Sequence, residues 1–354
     1  MNNLDIPKVS VVIPNYNHAR FLRRRIDSVL RQTFQDFELI LLDDCSTDES
    51  RSILCEYTGD PRVRMIFNEK NSGSTFKQWN KGVGLARGEY VWIAESDDYA
   101  DERLLEKLVP ILGSDRRAVF TYCRSWRVSA NDEISGYLDL CLSDLDPRRW
   151  TSGFWADGRE ECRRYLFGRN TVLNASSVVF RREVYQQVGG ADESLVYCGD
   201  WKTWAAMALT GGKIAYVGEA LNFYRIHNMS VTAKSQRLGI EPGEYLRVIR
   251  WILEKITPVE ATRNQVCENV FHVWGSAVLS SRIPLSYRWK ILKDACAIDH
   301  HALRRLLKYA FARISAPIRR TIRVRFWHPL LNFTRPVRHA LGLRRGNDSL
   351  RITK

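Results

Sequence analysis

The chain has 354 residues, 45% of them hydrophobic and 27% charged; that balance excludes wholesale disorder, and the length suits two modules plus an appendage rather than one core. Its formal charge of +14 is not spread along the chain, because residues from His301 to Lys354 hold fourteen of the Lys and Arg residues against the single acid Asp348. Eight cysteines form neither a CxxC pair nor a zinc-type Cys/His spacing, and there is no signal segment and no long apolar run, so the sequence predicts a cytoplasmic protein with reduced thiols and no membrane span.

Ser10–Ile13 is a short β-branched run, Asn15-Tyr16-Asn17 supplies turn chemistry, and Phe21, Leu22, Ile26, Val29, Leu30 and Phe34 recur at helical spacing. Strand, loop and helix are predicted there. Phe37–Leu42 reads as a second buried strand ending in Asp43-Asp44, Val63–Phe67 as a third and Tyr90–Ala94 as a fourth, with helical patterns between them. Strands alternating with helices imply a parallel sheet whose site lies in loops at the strands' carboxyl ends. The clusters Asn15-Tyr16-Asn17, Asp43-Asp44 and Glu95-Ser96-Asp97-Asp98 all fall at such ends. The first strand–helix turn holds no GxGxxG and no Walker sequence occurs, which argues against a dehydrogenase or a P-loop ATPase. From about Gly113 to Arg225 the pattern is mixed, with Trp- and Arg-rich loops, a strand at Ser177–Arg181, a helix at Trp201–Leu209 and a strand at Lys213–Val217. Beyond Ser235, apolar spacing of Tyr245, Val248 and Ile252, and then of Val270, Val273 and Ala277, predicts a helical extension. The expected parts are a first α/β half (1–112), a second, recognition half of the same domain (113–234), a helical extension (235–300) and a basic amphipathic tail (301–354).

Clustered carboxylates after a strand either hold a hard divalent cation or accept hydrogen bonds from ribose hydroxyls and a base N–H, and both uses fit a nucleoside diphosphate. Mg2+ and Mn2+ need few protein carboxylates, because water and phosphate oxygens complete their shells, so Glu95, Asp97 and Asp98 are a sufficient share. Taken alone, the same cluster also reads as a solvated loop before the helix starting near Asp101, and Asp43-Asp44 as part of a helix cap.

The order of segments resembles the family 2 glycosyltransferases of the GT-A fold. Val11-Val12-Ile13-Pro14-Asn15-Tyr16-Asn17 is similar to their opening strand and nucleotide loop, and Leu41-Leu42-Asp43-Asp44-Cys45-Ser46-Thr47-Asp48 to their second acidic motif. Asn71-x-Gly73, Asn80-Lys81-Gly82 and Ala86-Arg87-Gly88-Glu89-Tyr90 lead into Ala94-Glu95-Ser96-Asp97-Asp98, which resembles the DxD region. The likeness continues more loosely through Phe180-Arg181-Arg182, Gly189-Gly190 and Asp200 to Tyr224-Arg225-Ile226-His227. It implies an α/β GT-A nucleotide-diphospho-sugar transferase fold, with a Rossmann-like, mostly parallel sheet and a C-terminal helical, basic extension.

Residue by residue, the resemblance implies that Pro14, Tyr16 and Asp44 contact the donor's base and ribose. Glu95, Asp97 and Asp98 would share ribose binding and a Mn2+ or Mg2+ ion, and His227 would bind diphosphate or metal beside Arg225. Asp200, ahead of Trp201, stands at the place of the catalytic base. Three departures qualify this transfer: Glu95 replaces the first Asp of the DxD-like motif, Gly199 stands where many members carry Glu, and Gln78-Trp79-Asn80 replaces the commoner Ala-Arg-Asn. The last leaves Lys77 as the candidate for a phosphate contact.

A base at Asp200 would take the acceptor proton as the oxygen attacks the anomeric carbon, and one direct displacement implies inversion. The expected activity is transfer of a sugar, with a UDP-sugar as donor, to a hydroxyl of a glycan or lipid-linked acceptor in cell-surface polysaccharide synthesis. The alternative is a catalytically inactive sugar- or nucleotide-binding module on the same fold. Read without the resemblance, Asp200 is also the N-cap of a helix, His227 a structural histidine, and Trp150, Trp155, Trp201 and Trp204 core residues rather than sugar platforms.

Residues 301–354 interleave Arg with Leu, Phe and Trp, and Leu303, Leu306, Leu307 and Phe311 share a helical face. That is the composition of an interfacial helix, so an anionic membrane surface is an expected partner and the inner face of the cell membrane the expected location. Pro317, Pro329 and Pro336 exclude one continuous helix. Nucleic acid is not an expected partner, because a phosphate-backbone binder has no use for the acidic clusters.

Overall fold

Strands β1 (Val9–Asn15) and β2 (Phe37–Asp43) are buried at every position, as expected of parallel strands covered on both faces. In the computed structural model, which describes residues 6–281 and 283–311, they pair in parallel with each other and with β3 (Val63–Phe67) and β4 (Tyr90–Ile93). Helices α1 (Ala19–Leu30), α2 (Ser50–Cys55) and α3 (Thr75–Leu85) connect them. Phe21, Leu22, Ile26 and Val29 of α1 are buried, at the spacing expected of a helix face packed on a sheet.

The chain then runs through β5 (Tyr99–Ala100), α4 (Leu104–Ser114), β6 (Ala118–Ser129), β7 (Ile134–Tyr137), β8 (Phe154–Asp157), α5 (Gly158–Glu161), β9 (Val178–Arg181), α6 (Arg182–Gln187), α7 (Gly199–Leu209) and β10 (Lys213–Ile226). One sheet results, with strand order β3-β2-β1-β4-β9-β6-β10-β5, β7 beside β6 and β8 beside β10. It is mixed: β9 lies antiparallel between β4 and β6, whereas β10 runs parallel to β6.

The two longest strands differ from the sequence expectation, and the short strands β5, β7 and β8 are not predicted at all. β6 is twelve residues long, although its apolar run is interrupted by Arg124 and Arg127, and no strand is predicted there. β10 runs past Val217 to Ile226 because register shifts between Val217 and Asn222 absorb Gly218 and Glu219 without ending the pairing with β6. That bulged continuation delivers Arg225, and just beyond it His227, to the carboxyl end of β4.

Helices α8 (Val231–Leu238), α9 (Glu241–Leu253), α10 (Glu260–Val278) and α11 (Leu285–Ile298) follow. Leu246, Val248, Ile249 and Ile252 of α9 are buried, as are Ile291, Ala295 and Ile298 of α11. Residues up to Asp299 form one compact unit, and a second begins at His300. In the second, residues 302–311 are helical, with Leu303, Leu307 and Phe311 exposed and Leu306 buried. The rest of the expected membrane-binding tail, 312–354, lies outside the described residues. Among the described residues no helix is long and apolar enough to cross a membrane. The eight cysteines are free, four of them buried.

Candidate active site

The loops after β1 and β2 hold each other in place. Asp43, fully buried, accepts hydrogen bonds from Asn15 Nδ2 and Ser46 N, each at 3.0 Å, and Thr47 N donates to Asn17 Oδ1 at 2.7 Å. Asn17 and Cys45 sit at φ of 57° and 63°, a left-handed conformation that asparagine tolerates and cysteine adopts only under local constraint. Tyr16 is 41% exposed at the tip of this loop, leaving its ring face free to stack. Pro14 is buried within β1 opposite Leu42, so its ring is not presented to a ligand. Asp44 is also turned inward. It accepts from Asn68 Nδ2 at 2.6 Å, from Ser72 Oγ at 2.7 Å and from Gln78 Nε2 at 3.0 Å, which ties the loop after β3 and helix α3 to the end of β2. Asp44 thus organises the loops at the carboxyl edge where a donor contact is expected of it.

The carboxylates after β4 separate into three environments. Glu95 points to α3, where Trp79 Nε1 donates to its Oε1 at 2.6 Å. Burial, reinforced by the charge of Asp97, pushes the Glu95 pKa up to about 8. Asp98 faces the second half of the sheet: its Oδ1 accepts from Arg225 N at 2.8 Å, and its Oδ2 from Asn174 Nδ2 at 2.9 Å and Ser176 Oγ at 2.7 Å. Burial and then Asp97 raise its pKa to about 6. Beneath the loop, fully buried Arg25 donates from Nε to the Glu95 carbonyl at 2.8 Å, and burial lowers its pKa to about 10.

Asp97 alone faces a cluster of potential ligands. Its Oδ2 lies 2.8 Å from His227 Nε2, and one ligand atom each of His18, Asp97 and His227 lie within 4.8 Å of one another. Burial pushes the Asp97 pKa up, but the hydrogen bond from His227 and the nearby His18 outweigh it, and the pKa is lowered. Burial holds the His18 pKa below its usual value, which favours the neutral imidazole that a metal requires. His18 Nδ1 lies 2.8 Å from Ser96 Oγ, leaving Nε2 for a ligand, and His227 Nδ1 is buried without a hydrogen-bond partner. Two imidazoles and a carboxylate suit a transition-metal ion such as Mn2+ better than Mg2+, which prefers oxygen ligands alone. Of the neighbouring carboxylates, Glu95 has Oε1 engaged by Trp79, and Asp98 has both oxygens engaged by Arg225, Asn174 and Ser176.

Arg225 is held tightly by the loops around the site. It is 2% exposed, and its guanidinium donates to the carbonyls of Asp97 at 2.7 Å and Ser129 at 3.0 Å and pairs with Asp132 at 2.6 Å. It therefore shapes the Asp97 loop.

Asp200 lies in the first turn of α7. Its Oδ2 accepts from Asn170 Nδ2 at 2.9 Å, and burial pushes its pKa up to about 6, against the opposing hydrogen bonds from the Trp201 backbone and Asn170. Tyr224 links the two centres: burial raises its pKa to about 12, and it feels the charges of Asp98, Asp97 and Asp200 together. Gly199 leaves room for Phe76, since a Cβ there would stand 2.4 Å from Phe76 Cε2. Phe76 thus occupies the space that a side chain at 199 would need. Lys77 is exposed on α3. Trp150, Trp201 and Trp204 are core residues, and Trp155 is exposed.

Sequence reasoning missed His18, Asn170 and Tyr224 as members of the site. His18 directly follows the Asn15-Tyr16-Asn17 turn, and that position was the available signal. Asn170 lies in a loop without periodicity and offered none.

The family model for glycosyl transferase family 2 matches residues 10–189. A putative teichuronic acid biosynthesis glycosyltransferase of Bacillus subtilis, TuaG, is 28% identical over 228 residues, covering 64% of this chain and 82% of its own. The poly(ribitol-phosphate) beta-N-acetylglucosaminyltransferase TarP of Staphylococcus aureus is 41% identical over 105 residues, covering 28% of this chain and 32% of its own. Among solved structures, residues 1–349 of S. aureus TarS with UDP-GlcNAc superpose at a TM-score of 0.64 with 18% identity, covering 83% of this chain and 82% of that one. A Pyrobaculum calidifontis mannosyltransferase, PcManGT, with GDP-Man and Mn2+ gives 0.54 with 16% identity, covering 88% and 82%. With half of its length matched by the family model and its sheet and helices arranged as in these structures, the chain belongs to glycosyl transferase family 2 and adopts the GT-A fold.

Proposed function

We propose that this glycosyltransferase moves a sugar from a nucleoside-diphosphate donor, a UDP-sugar, to a hydroxyl of a glycan or lipid-linked acceptor in cell-surface polysaccharide synthesis, with inversion at the anomeric carbon. The observation that carries the reading is the pairing, around Tyr224, of the His18–Asp97–His227 cluster with a carboxyl group at Asp200 whose pKa is raised to about 6. A base is most effective when its pKa lies near the working pH, and general-base assistance contributes typically ~10²–10⁴-fold. Asp200 takes the proton of the acceptor hydroxyl as that oxygen attacks, and Asn170 holds the carboxylate toward it. Tyr16 stacks on the nucleobase. Asp97, His18 and His227 would hold a Mn2+ ion beside the donor diphosphate, and the cation would supply positive charge against the leaving group. Asp98 and Arg225 fix the loop that presents Asp97. A UDP-sugar is supported by the UDP-GlcNAc of the TarS complex, and the surface-polysaccharide acceptor by the relatives named for teichuronic acid and poly(ribitol-phosphate). The basic stretch from His301, with Leu303, Leu307 and Phe311 exposed on its described helix, is the part assigned to anionic lipid.

Calorimetric titration of UDP, GDP and dTDP, with and without Mn2+, tests the donor half of this reading. One nucleotide is expected to bind in a Mn2+-dependent manner, and Asp97→Ala or His18→Ala is expected to remove the Mn2+ dependence. Binding by none of the three would favour the inactive module, and Mn2+-dependent binding that survives His18→Ala would exclude His18 from the ligand set.

A further inference from the structure

The loop from Asp192 to Cys198 leads into the helix that carries Asp200, yet no side chain of its own caps that helix: the residue before α7 is Cys198, which makes no side-chain capping bond. The group that holds the segment in front of the helix comes from the extension. Glu244, on the first turn of α9 and 4% exposed, accepts Val196 N on Oε1 at 2.7 Å, and Tyr197 N at 2.8 Å and Cys198 N at 3.0 Å on Oε2. Three successive backbone N–H groups therefore converge on one buried carboxylate at a helix N-terminus, where negative charge is favoured. The next residue grips the other side. Tyr245 packs its ring 4.7 Å from that of Trp201, the neighbour of Asp200, and donates from its hydroxyl to the Gly168 carbonyl at 3.1 Å. Gly168 stands two residues before Asn170, the hydrogen-bond partner of Asp200.

We propose that Glu244 is a positioning residue for the catalytic base, contributed by a helix outside the sheet-bearing half of the unit. It sets the backbone from Val196 to Cys198, and through it the direction and electrostatic surroundings of Asp200. A charge at Glu244 also opposes ionisation of Asp200. The other titratable groups facing this corner are Tyr197 and Cys198 of the loop, Glu241 and Arg247 of α9, and Tyr287 of α11. The proposal rests on the reading of Asp200 as the base, so the test separates the two.

The full chain and its Glu244→Gln, Glu244→Asp and Asp200→Asn variants are assayed for nucleoside diphosphate release from UDP-GlcNAc, UDP-glucose and GDP-mannose, over pH 5 to 9. Amide hydrogen exchange is followed at residues 196–198. Glu244→Gln keeps the side-chain size but has one acceptor oxygen in place of two. It is expected to lower kcat at least tenfold with donor KM within twofold, to move the acid limb of the kcat profile to lower pH, and to speed exchange at 196–198 at least tenfold. Glu244→Asp, which keeps the charge, is expected to retain the acid limb and recover part of kcat. If Asp200→Asn is inactive while Glu244→Gln keeps kcat within twofold and leaves the acid limb where it was, the positioning role is overturned. Turnover by Asp200→Asn at the parent rate would instead sink the base assignment, and this proposal with it.

Discussion

Replacing Asp200 by asparagine should make the protein more stable and almost inactive at once. Burial raises the Asp200 pKa from the ordinary 3.8 to about 6, so the folded state holds this proton more tightly than the unfolded chain does. The penalty is absent below the unfolded pKa, grows as pH rises through the interval between the two values, and is fully present above about 6. At about 1.4 kcal/mol per unit of pKa it reaches an upper limit of about 3 kcal/mol, reduced by the solvent that still reaches the partly exposed side chain. Asparagine removes that penalty and keeps an oxygen for the Asn170 amide. Loss of the base costs about 10²–10⁴-fold in turnover, or about 2.7–5.5 kcal/mol of transition-state stabilisation. Nucleotide affinity should be unchanged, because the loops after β1 and β4 are untouched. In the parent protein kcat should rise through about pH 6 as Asp200 ionises. Urea denaturation at pH 8, nucleotide titration and donor turnover together check the argument. A variant turning over within tenfold of the parent at pH 8 refutes the base, and one unfolding at lower urea refutes the burial argument.

Glu95→Gln should be near neutral in stability, because its amide oxygen still accepts the Trp79 indole N–H. Glu95→Ala leaves that buried donor unpaired, at about 1–3 kcal/mol, and Trp79→Phe on the alanine background should restore part of it; equal effects of Gln and Ala in urea denaturation would contradict the hydrogen bond. Gly199→Ala places a Cβ 2.4 Å from Phe76 Cε2 and should destabilise by about 1–3 kcal/mol, with Phe76→Leu relieving the clash in the double variant. A Gly199→Ala protein with the parent's urea midpoint would show that Phe76 does not fill the space reserved by Gly199.

Much of this protein is legible in the order of its residues. Continuous apolar runs such as Val9–Ile13 and Phe37–Leu42 define strands without reference to any partner, since a strand buried on both faces needs no alternation. The acidic clusters follow those runs immediately, so their convergence at one edge of the sheet is a consequence of parallel topology. Asp200 before Trp201 and His227 at the end of the Tyr-Arg-x-His segment mark the remaining positions along the chain.

Which carboxylate faces which partner was decided only by the tertiary structure. Glu95, Asp97 and Asp98 are neighbours in sequence, yet Glu95 turns to Trp79 on α3, Asp98 to Arg225, Asn174 and Ser176, and Asp97 alone to His18 and His227. The split depends on a bulged strand, β10, that brings residues more than a hundred positions away against the end of β4, and no local periodicity encodes that pairing. The role of Glu244 is hidden for the same reason: its partners are backbone N–H groups, which carry no side-chain signature. Local sequence determines elements and their ends through short-range sterics and hydrophobic patterning, whereas the direction of a buried polar group is set by whichever distant donor or acceptor satisfies it.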